Sequence, residues 1–302
     1  EYQRVYAKMK SHPKMKDTDG DGIPDNLDSD KLVYNITDRT LALAAGLSYE
    51  NLRSKKGKYV GNTGEAELSN FQVIHANNSG FITFNDFFDK GLGSVAIKMS
   101  RENKNDAIIF AFRGTEAFKD PINDFTEDIF LGVGLNSIQS NEAFREYQKL
   151  AKRYPNADFF LAGHSLGGRL VQDVLYRAHD KNNGITSFLK DDIKTPVHSA
   201  TFNALGYNKI NYFRNVLFKS KNINQIASKL NNYYYKYDLV GEGYGDSITF
   251  KRLGTDVGPY MAKDDNGDEI KKPLAKYYIT KLHRIKLFYN EDKLRNLKNN
   301  IY

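Results

Sequence analysis

The sequence predicts a layered α/β domain, with a mostly parallel central sheet flanked by helices. Short, nearly continuous apolar runs such as Ala107–Phe112 (AIIFAF) and Asp158–Ala162 (DFFLA) fit strands buried on both faces. Segments of helical periodicity alternate with them, over 141–153 and about Leu166–His179. The 302 residues leave room for one large domain of this kind plus a short appendage.

Taken in order, residues 1–16 are polar and basic without a period, and 17–30 (DTDGDGIPDNLDSD) differ in composition from everything else. A helical pattern runs from Thr37, as N-cap, to about Leu52, with Leu41, Ala44, Ala45, Leu47 and Tyr49 on its apolar face. Residues 53–80 are polar apart from a short apolar stretch around Phe71–Ile74. Ser94–Met99 and Ala107–Phe112 then read as a hairpin across the turn ENKND. After the helix at 141–153, the strand Asp158–Ala162 runs into a glycine-rich turn and the helix from Leu166. Pro196–Leu205 and Tyr233–Tyr237 supply further strands. The expected division is an N-terminal segment, 1–36, followed by the α/β domain, 37–302.

Composition excludes several classes. Hydrophobic residues are 40% and charged residues 27%, as in folded globular chains, which argues against bulk disorder. The absence of cysteine removes disulfides, thiolate catalysis and Cys-ligated zinc. No apolar run nears the roughly 20 residues of a membrane-spanning helix. The net charge of +7 favours an acidic partner, but no zinc-finger spacing or RNA-recognition signature points to nucleic acid. An anionic lipid surface is the partner this leaves, against the plainer reading of a lysine-rich solvated surface. The chain opens at Glu1 rather than Met, so the expectation is a processed product or an excised piece.

The strongest local signal is Gly163-His164-Ser165-Leu166-Gly167-Gly168. An apolar strand leads in and an amphipathic helix leads out, the setting in which a nucleophilic serine sits on a sharp strand-to-helix turn. Residues two before and two after that serine must lack bulk, hence Gly163 and Gly167. The N–H of Leu166, at the start of the helix, is one candidate oxyanion donor.

A serine nucleophile of this type is followed in the chain by an acid and then a histidine. Of six histidines, His12 and His75 precede the serine, while His164 and His179 belong to the elbow and its helix. His198 lies in a strand and leaves little room for an acid before it. His283 remains. Asp238, just after the YYYKY strand, is the preferred acid, with Asp246 as rival. Beyond Ala107–Phe112, the Arg113-Gly114-Thr115 turn leaves the sheet beside the elbow. Taken by itself it reads as a strand-ending turn, although Thr115 could offer an N–H and a hydroxyl to an oxyanion.

Here the residues carry a resemblance. FAFRGTE at 110–116, DFTEDI at 124–129, FLAGHSLGGRL at 160–170, SATFNALG at 199–206, YKYDLVG at 235–241 and LHRIKLF at 282–288 together resemble the class 3 lipase family. The resemblance implies an α/β-hydrolase fold, a Ser165–Asp238–His283 triad, Thr115 as oxyanion donor and a lid region over about 116–140. It also implies hydrolysis of triacylglycerols or release of fatty acids from phospholipids and galactolipids. Where the family commonly carries a Pro-rich stretch after the acid, this chain reads LVGEGYGD.

A second motif stands apart. Asp17, Asp19, Asp21, Gly22, Asp25 and Asp28 occupy positions 1, 3, 5, 6, 9 and 12 of a calcium-loop spacing, with the Ile23 carbonyl at position 7. The stretch resembles the DTDGDGIPD calcium repeats of exported proteins, which implies a structural Ca2+ and an extracellular setting. A solvated acidic linker is the other reading. The turn at Asp264–Glu269 lacks this spacing and reads as a hairpin turn.

The expectation is therefore a secreted lipase or phospholipase that needs no cofactor for catalysis. Its architecture also suits an exported antibacterial toxin module, whose partners would include an immunity or secretion protein. The alternatives are a non-catalytic, calcium-stabilised binding module on a hydrolase scaffold, or an esterase of small esters.

Overall fold

The computed structural model describes residues 15–21, 23–28, 30–61, 66–77, 93–114, 139–183, 193–208, 225–245, 250–261, 268–269, 285 and 288. The mostly parallel sheet expected from the apolar runs is present. Seven strands form it: β1 (Gln72–Asn77), β2 (Ser94–Met99), β3 (Ala107–Phe112), β4 (Asp158–His164), β5 (His198–Phe202), β7 (Leu230–Tyr235) and β9 (Thr255–Tyr260). They lie side by side in that order. The first three pair antiparallel, and every pairing from β3 onward is parallel. A separate two-stranded ribbon joins β6 (Tyr207–Asn208) to β8 (Phe250–Lys251).

The alternation of side chains along each strand sorts the core into two layers. Ile109, Ala111, Phe160 and Ala162 face helix α1 (Asp38–Leu47). Ile108, Phe110, Phe159 and Leu161 face the opposite way, against α2 (139–153) and α3 (Leu166–Asn183). All six residues of β3 are buried, as a central strand covered by helices on both faces must be.

Helix α1 begins where the sequence predicts. Thr37 caps it: its hydroxyl accepts from the N–H of Thr40, and the Thr40 hydroxyl accepts from the N–H of Thr37, both at 3.2 Å. It ends at Leu47, five residues before the expected Leu52. After Leu47 the chain tightens into i→i+3 bonds, Tyr49 N to Gly46 O and Glu50 N to Leu47 O, while the Ser48 hydroxyl donates to Ala45 O at 2.6 Å. A serine side chain that takes a backbone carbonyl in this way competes with helix continuation. The early stop swings Tyr49 off the helix.

The hairpin β2–β3 and the helix at 141–153, extended to 139–153, match the sequence reading. The expected strand Pro196–Leu205 shortens to β5, and Tyr233–Tyr237 shifts back to β7. Strands β1 and β9 were not expected. The residues of β9 are largely exposed, so the edge strand lacks the apolar run that marks a buried one.

The N-terminal stretch packs onto the domain rather than trailing from it. Ile23, Val33, Tyr34 and Ile36 are buried, and Tyr34 meets Phe71 edge-on at 5.3 Å.

Candidate active site

A parallel sheet delivers its strand ends to one edge, and the site is built there. Strand β4 runs out at His164, and α3 begins at Leu166. Ser165 alone makes the reversal, with φ of +56°, a left-handed conformation that costs a serine strain and persists only where its surroundings enforce it. Its N–H donates to Phe202 O of β5 at 3.0 Å, and its carbonyl accepts from Gly168 N and Leu205 N. The two flanking glycines are required by contact. A Cβ at Gly163 would fall on the Gly167 carbonyl, and one at Gly167 on the Phe112 carbonyl of β3.

The end of β3 closes the other side. A Cβ at Gly114 would lie 2.7 Å from His164 O, 2.8 Å from Ser165 Cβ and 2.9 Å from Tyr49 Oη. The turn therefore rests directly on the elbow. Tyr49 was not expected at the site. Its phenol accepts the Gly114 N–H at 3.1 Å and lies 2.7 Å from His164 Nδ1. The sequence reading placed it only on the apolar face of a helix running to about Leu52.

Asp238 follows β7 by three residues and is buried. One of its carboxylate oxygens caps the next turn, 239–244, by accepting from Gly241 N at 2.5 Å. Tyr237, just before it, has φ of +67°, and Asn203, just after β5, has φ of +43°. Ser165, Asn203 and Tyr237 thus place three strained non-glycine residues beyond adjacent strands β4, β5 and β7, on the edge that carries the candidate site. Asn203 ties the last two together, since its Oδ1 accepts from Tyr235 N at 2.9 Å and its N–H donates to Tyr233 O. Arg252 supports the acid turn from behind, donating to Gly241 O with its guanidinium 4.0 Å over the Tyr234 ring. The sequence carried no signal for either residue.

The predicted residues divide as follows. Ser165, Leu166 and Asp238 all lie at this strand edge, Leu166 opening α3, where the first backbone N–H groups have no partner within the helix. Thr115, His283, the rival Asp246, His12 and most of the 116–140 segment lie outside the described residues. Phe288, five residues beyond His283, is fully buried, with its ring 5.2 Å from Phe202 and 4.9 Å from Tyr235. The described histidines each have surroundings of their own. His75 contacts Ser94 Oγ, His164 turns to Tyr49, His179 is buried on α3, and His198 meets Asp38 in the core. Burial lowers the His75 pKa.

This is an α/β-hydrolase fold.

No family model matches the chain, and no curated protein matches it. Among solved structures, the chain is similar to a lipase from Rhizopus microsporus var. chinensis, at 15% identity over 84% of this chain and 87% of that one, TM-score 0.45. A Rhizomucor miehei triacylglyceride lipase is similar at 14% identity over 77% and 80%, TM-score 0.43. A Penicillium expansum triacylglycerol lipase stands at 16% over 72% and 75%, TM-score 0.36. Likenesses this distant do not say what the chain acts on. Among the described residues, no helix is long and apolar enough to cross a membrane.

The acidic loop is a second cluster. Asp17, Asp19 and Asp21 each bring a carboxylate oxygen within 4.8 Å of the others. Asp28 is buried, and one oxygen each of Asp19 and Asp28 is buried without a hydrogen-bond partner. Burial first, then the Asp21 charge, pushes Asp19 up to about 8, and burial pushes Asp21 up to about 6. Both oxygens of Asp25 accept from Thr18. Ile23, expected to offer its carbonyl, buries its side chain and donates its N–H to Asp21. Within this loop Gly20 is left-handed, at φ +77°, whereas Gly22 lies outside the described residues.

Proposed function

We propose that the chain is a serine carboxylic ester hydrolase of lipase type. The observation that carries this reading is Ser165 held at positive φ between β4 and α3, with the Gly114 turn pressed against it. An idle serine has no need of that conformation or of three glycines packed this tightly around the turn.

In this reading Ser165 Oγ attacks the ester carbonyl while His283 takes its proton. Asp238 orients the imidazole and stabilises its cation. The N–H groups of Leu166 and Thr115 receive the oxyanion. The Gly114 N–H is given to Tyr49, which is consistent with a donor from the next residue, Thr115. Collapse of the intermediate expels the alcohol, protonated by His283, and water releases the acid from the acyl-enzyme. The burial of Phe288 against Phe202 and Tyr235, five residues beyond His283 in the chain, supports this role for the histidine.

The substrates in this proposal are fatty-acyl esters of phospholipids or glycerides, met at an anionic membrane surface that suits the net charge of +7. The protein acts outside the cell, and as a toxin module it would pair with an immunity or secretion partner. The test is fatty-acid release from phosphatidylglycerol/phosphatidylethanolamine vesicles and from triglyceride emulsion, native against Ser165→Ala. Release that disappears in the variant supports the reading, and the substrate that yields it separates phospholipase from triglyceride lipase. No release from either substrate, with folded protein and calcium present, would favour the binding module or an esterase confined to small esters.

A structural Ca2+ at the Asp17–Asp28 loop belongs to the same proposal. The converging carboxylates, with buried oxygens of Asp19 and Asp28 that have no donor, fit a hard cation that takes oxygen ligands. The loop is wired to the domain, because Asp21 accepts from Asn35 N at 3.0 Å and Asp28 from Asn35 Nδ2 at 3.3 Å. Asn35 lies two residues before the cap of α1. Calcium titration of the native chain followed by calorimetry, against Asp21→Asn, tests it: the absence of binding heat in the native chain removes the cation from the proposal.

A further inference from the structure

We propose that Tyr49 is a positioning residue for ester hydrolysis, a phenolic clamp that sets the oxyanion turn in register with the nucleophile elbow. This rests on the Ser165 reading and goes beyond it, since neither the triad nor the oxyanion donors include a residue from the α1 end.

Three elements meet at one oxygen. The turn after β3 gives it the Gly114 N–H at 3.1 Å, and the elbow presents His164 Nδ1 at 2.7 Å. Tyr49 itself comes from the stretch just beyond α1, with its ring edge-on to the His164 imidazole, centroids 5.8 Å apart. Because the backbone N–H can only donate, the phenol keeps its own proton to give, and His164 Nδ1 is placed to take it.

The consequence is geometric. An oxyanion donor must stand about 3 Å from where negative charge develops, and a misplacement near 1 Å costs on the order of 100-fold in rate. The β3 turn and the elbow belong to different strands, and Thr115 sits one residue past the amide that Tyr49 holds. The gap at Gly114 is too tight for a Cβ, and the phenol is a polar link that holds the turn at its closest approach to Ser165. His164 is thereby given a purpose other than acid–base chemistry, as the anchor for the clamp.

The test is Tyr49→Phe, which keeps the ring and removes both bonds. The clamp predicts a kcat for p-nitrophenyl butyrate lowered roughly 10- to 100-fold with KM within about twofold, and slower labelling of Ser165 by a phosphonate ester in proportion. The exposed Tyr59→Phe serves as control and leaves both unchanged. A second readout needs no catalysis: the Gly114 amide should be protected from hydrogen exchange in the native chain and should exchange faster in Tyr49→Phe. A Tyr49→Phe variant with native kcat overturns the proposal, even if its melting temperature falls. So does a native Gly114 amide that exchanges like an exposed one, which also decides the matter should the variant fail to fold. A native chain that hydrolyses no ester would count against the Ser165 reading instead, and the exchange measurement would still judge the clamp.

Discussion

Asp38 and His198 meet 2.7 Å apart in the core, with neither side chain more than 2% exposed. They join the first turn of α1 to the start of β5. The other Asp38 oxygen accepts from Asn231 Nδ2 at 2.8 Å and Tyr233 Oη at 2.5 Å. A buried carboxylate with three donors is tolerable, and removing it strands those donors without water. Asp38→Ala should therefore destabilise the fold by about 3 to 5 kcal/mol, read from the midpoint of urea unfolding. A loss below about 1 kcal/mol would mean that the network contributes little.

The carboxylate of Asp238 has two separable duties in the proposed reaction. As a cap it accepts from Gly241 N, and an asparagine oxygen does this equally well. As the triad acid it must fix the histidine tautomer, which an amide reverses. Asp238→Asn should then fold with nearly native stability while kcat for ester hydrolysis drops on the order of 10^4-fold. Native kcat in this variant would move the acid elsewhere, with Asp246 the first alternative.

Gly167 lies in the first turn of α3, where a Cβ would drive into the Phe112 carbonyl. Backbone on both sides cannot yield, unlike the end of a flexible side chain. Gly167→Ala should push the elbow away from β3, lowering the melting temperature and abolishing ester hydrolysis together. Full activity in this variant would show that the contact relaxes without cost.

If the Asp17–Asp28 loop holds calcium, the cation binds only the folded chain and so adds to its stability by mass action. At calcium a hundred times its dissociation constant the gain is about 2.7 kcal/mol. Thermal melts in excess calcium and in chelator should differ by several degrees, and Asp21→Asn should erase the difference. Identical melts for the native chain would speak against the site.

Much of this fold was readable because period and punctuation are local properties. The runs AIIFAF and DFFLA announced central strands, and Gly163-His164-Ser165-Leu166-Gly167 between a strand and a helix announced the elbow. Thr37 announced the start of α1. The edge strand β9 escaped because one open face leaves no apolar signature. The end of α1 escaped because a serine side chain competing for a carbonyl is a local contest that periodicity does not register.

What the sequence determined by itself was the layered α/β class, the place of Ser165 on a strand-to-helix turn and the need for small residues around it, since each follows from neighbours within a few residues. Tertiary structure alone decided which distant groups share the strand edge. Tyr49 reaches His164 across 115 positions, Asn203 links β5 to the strand before Asp238, and Asp21 accepts from Asn35. These pairings depend on where helices stop and how strands register. Both are set by packing over the whole sheet, which no short stretch of sequence contains.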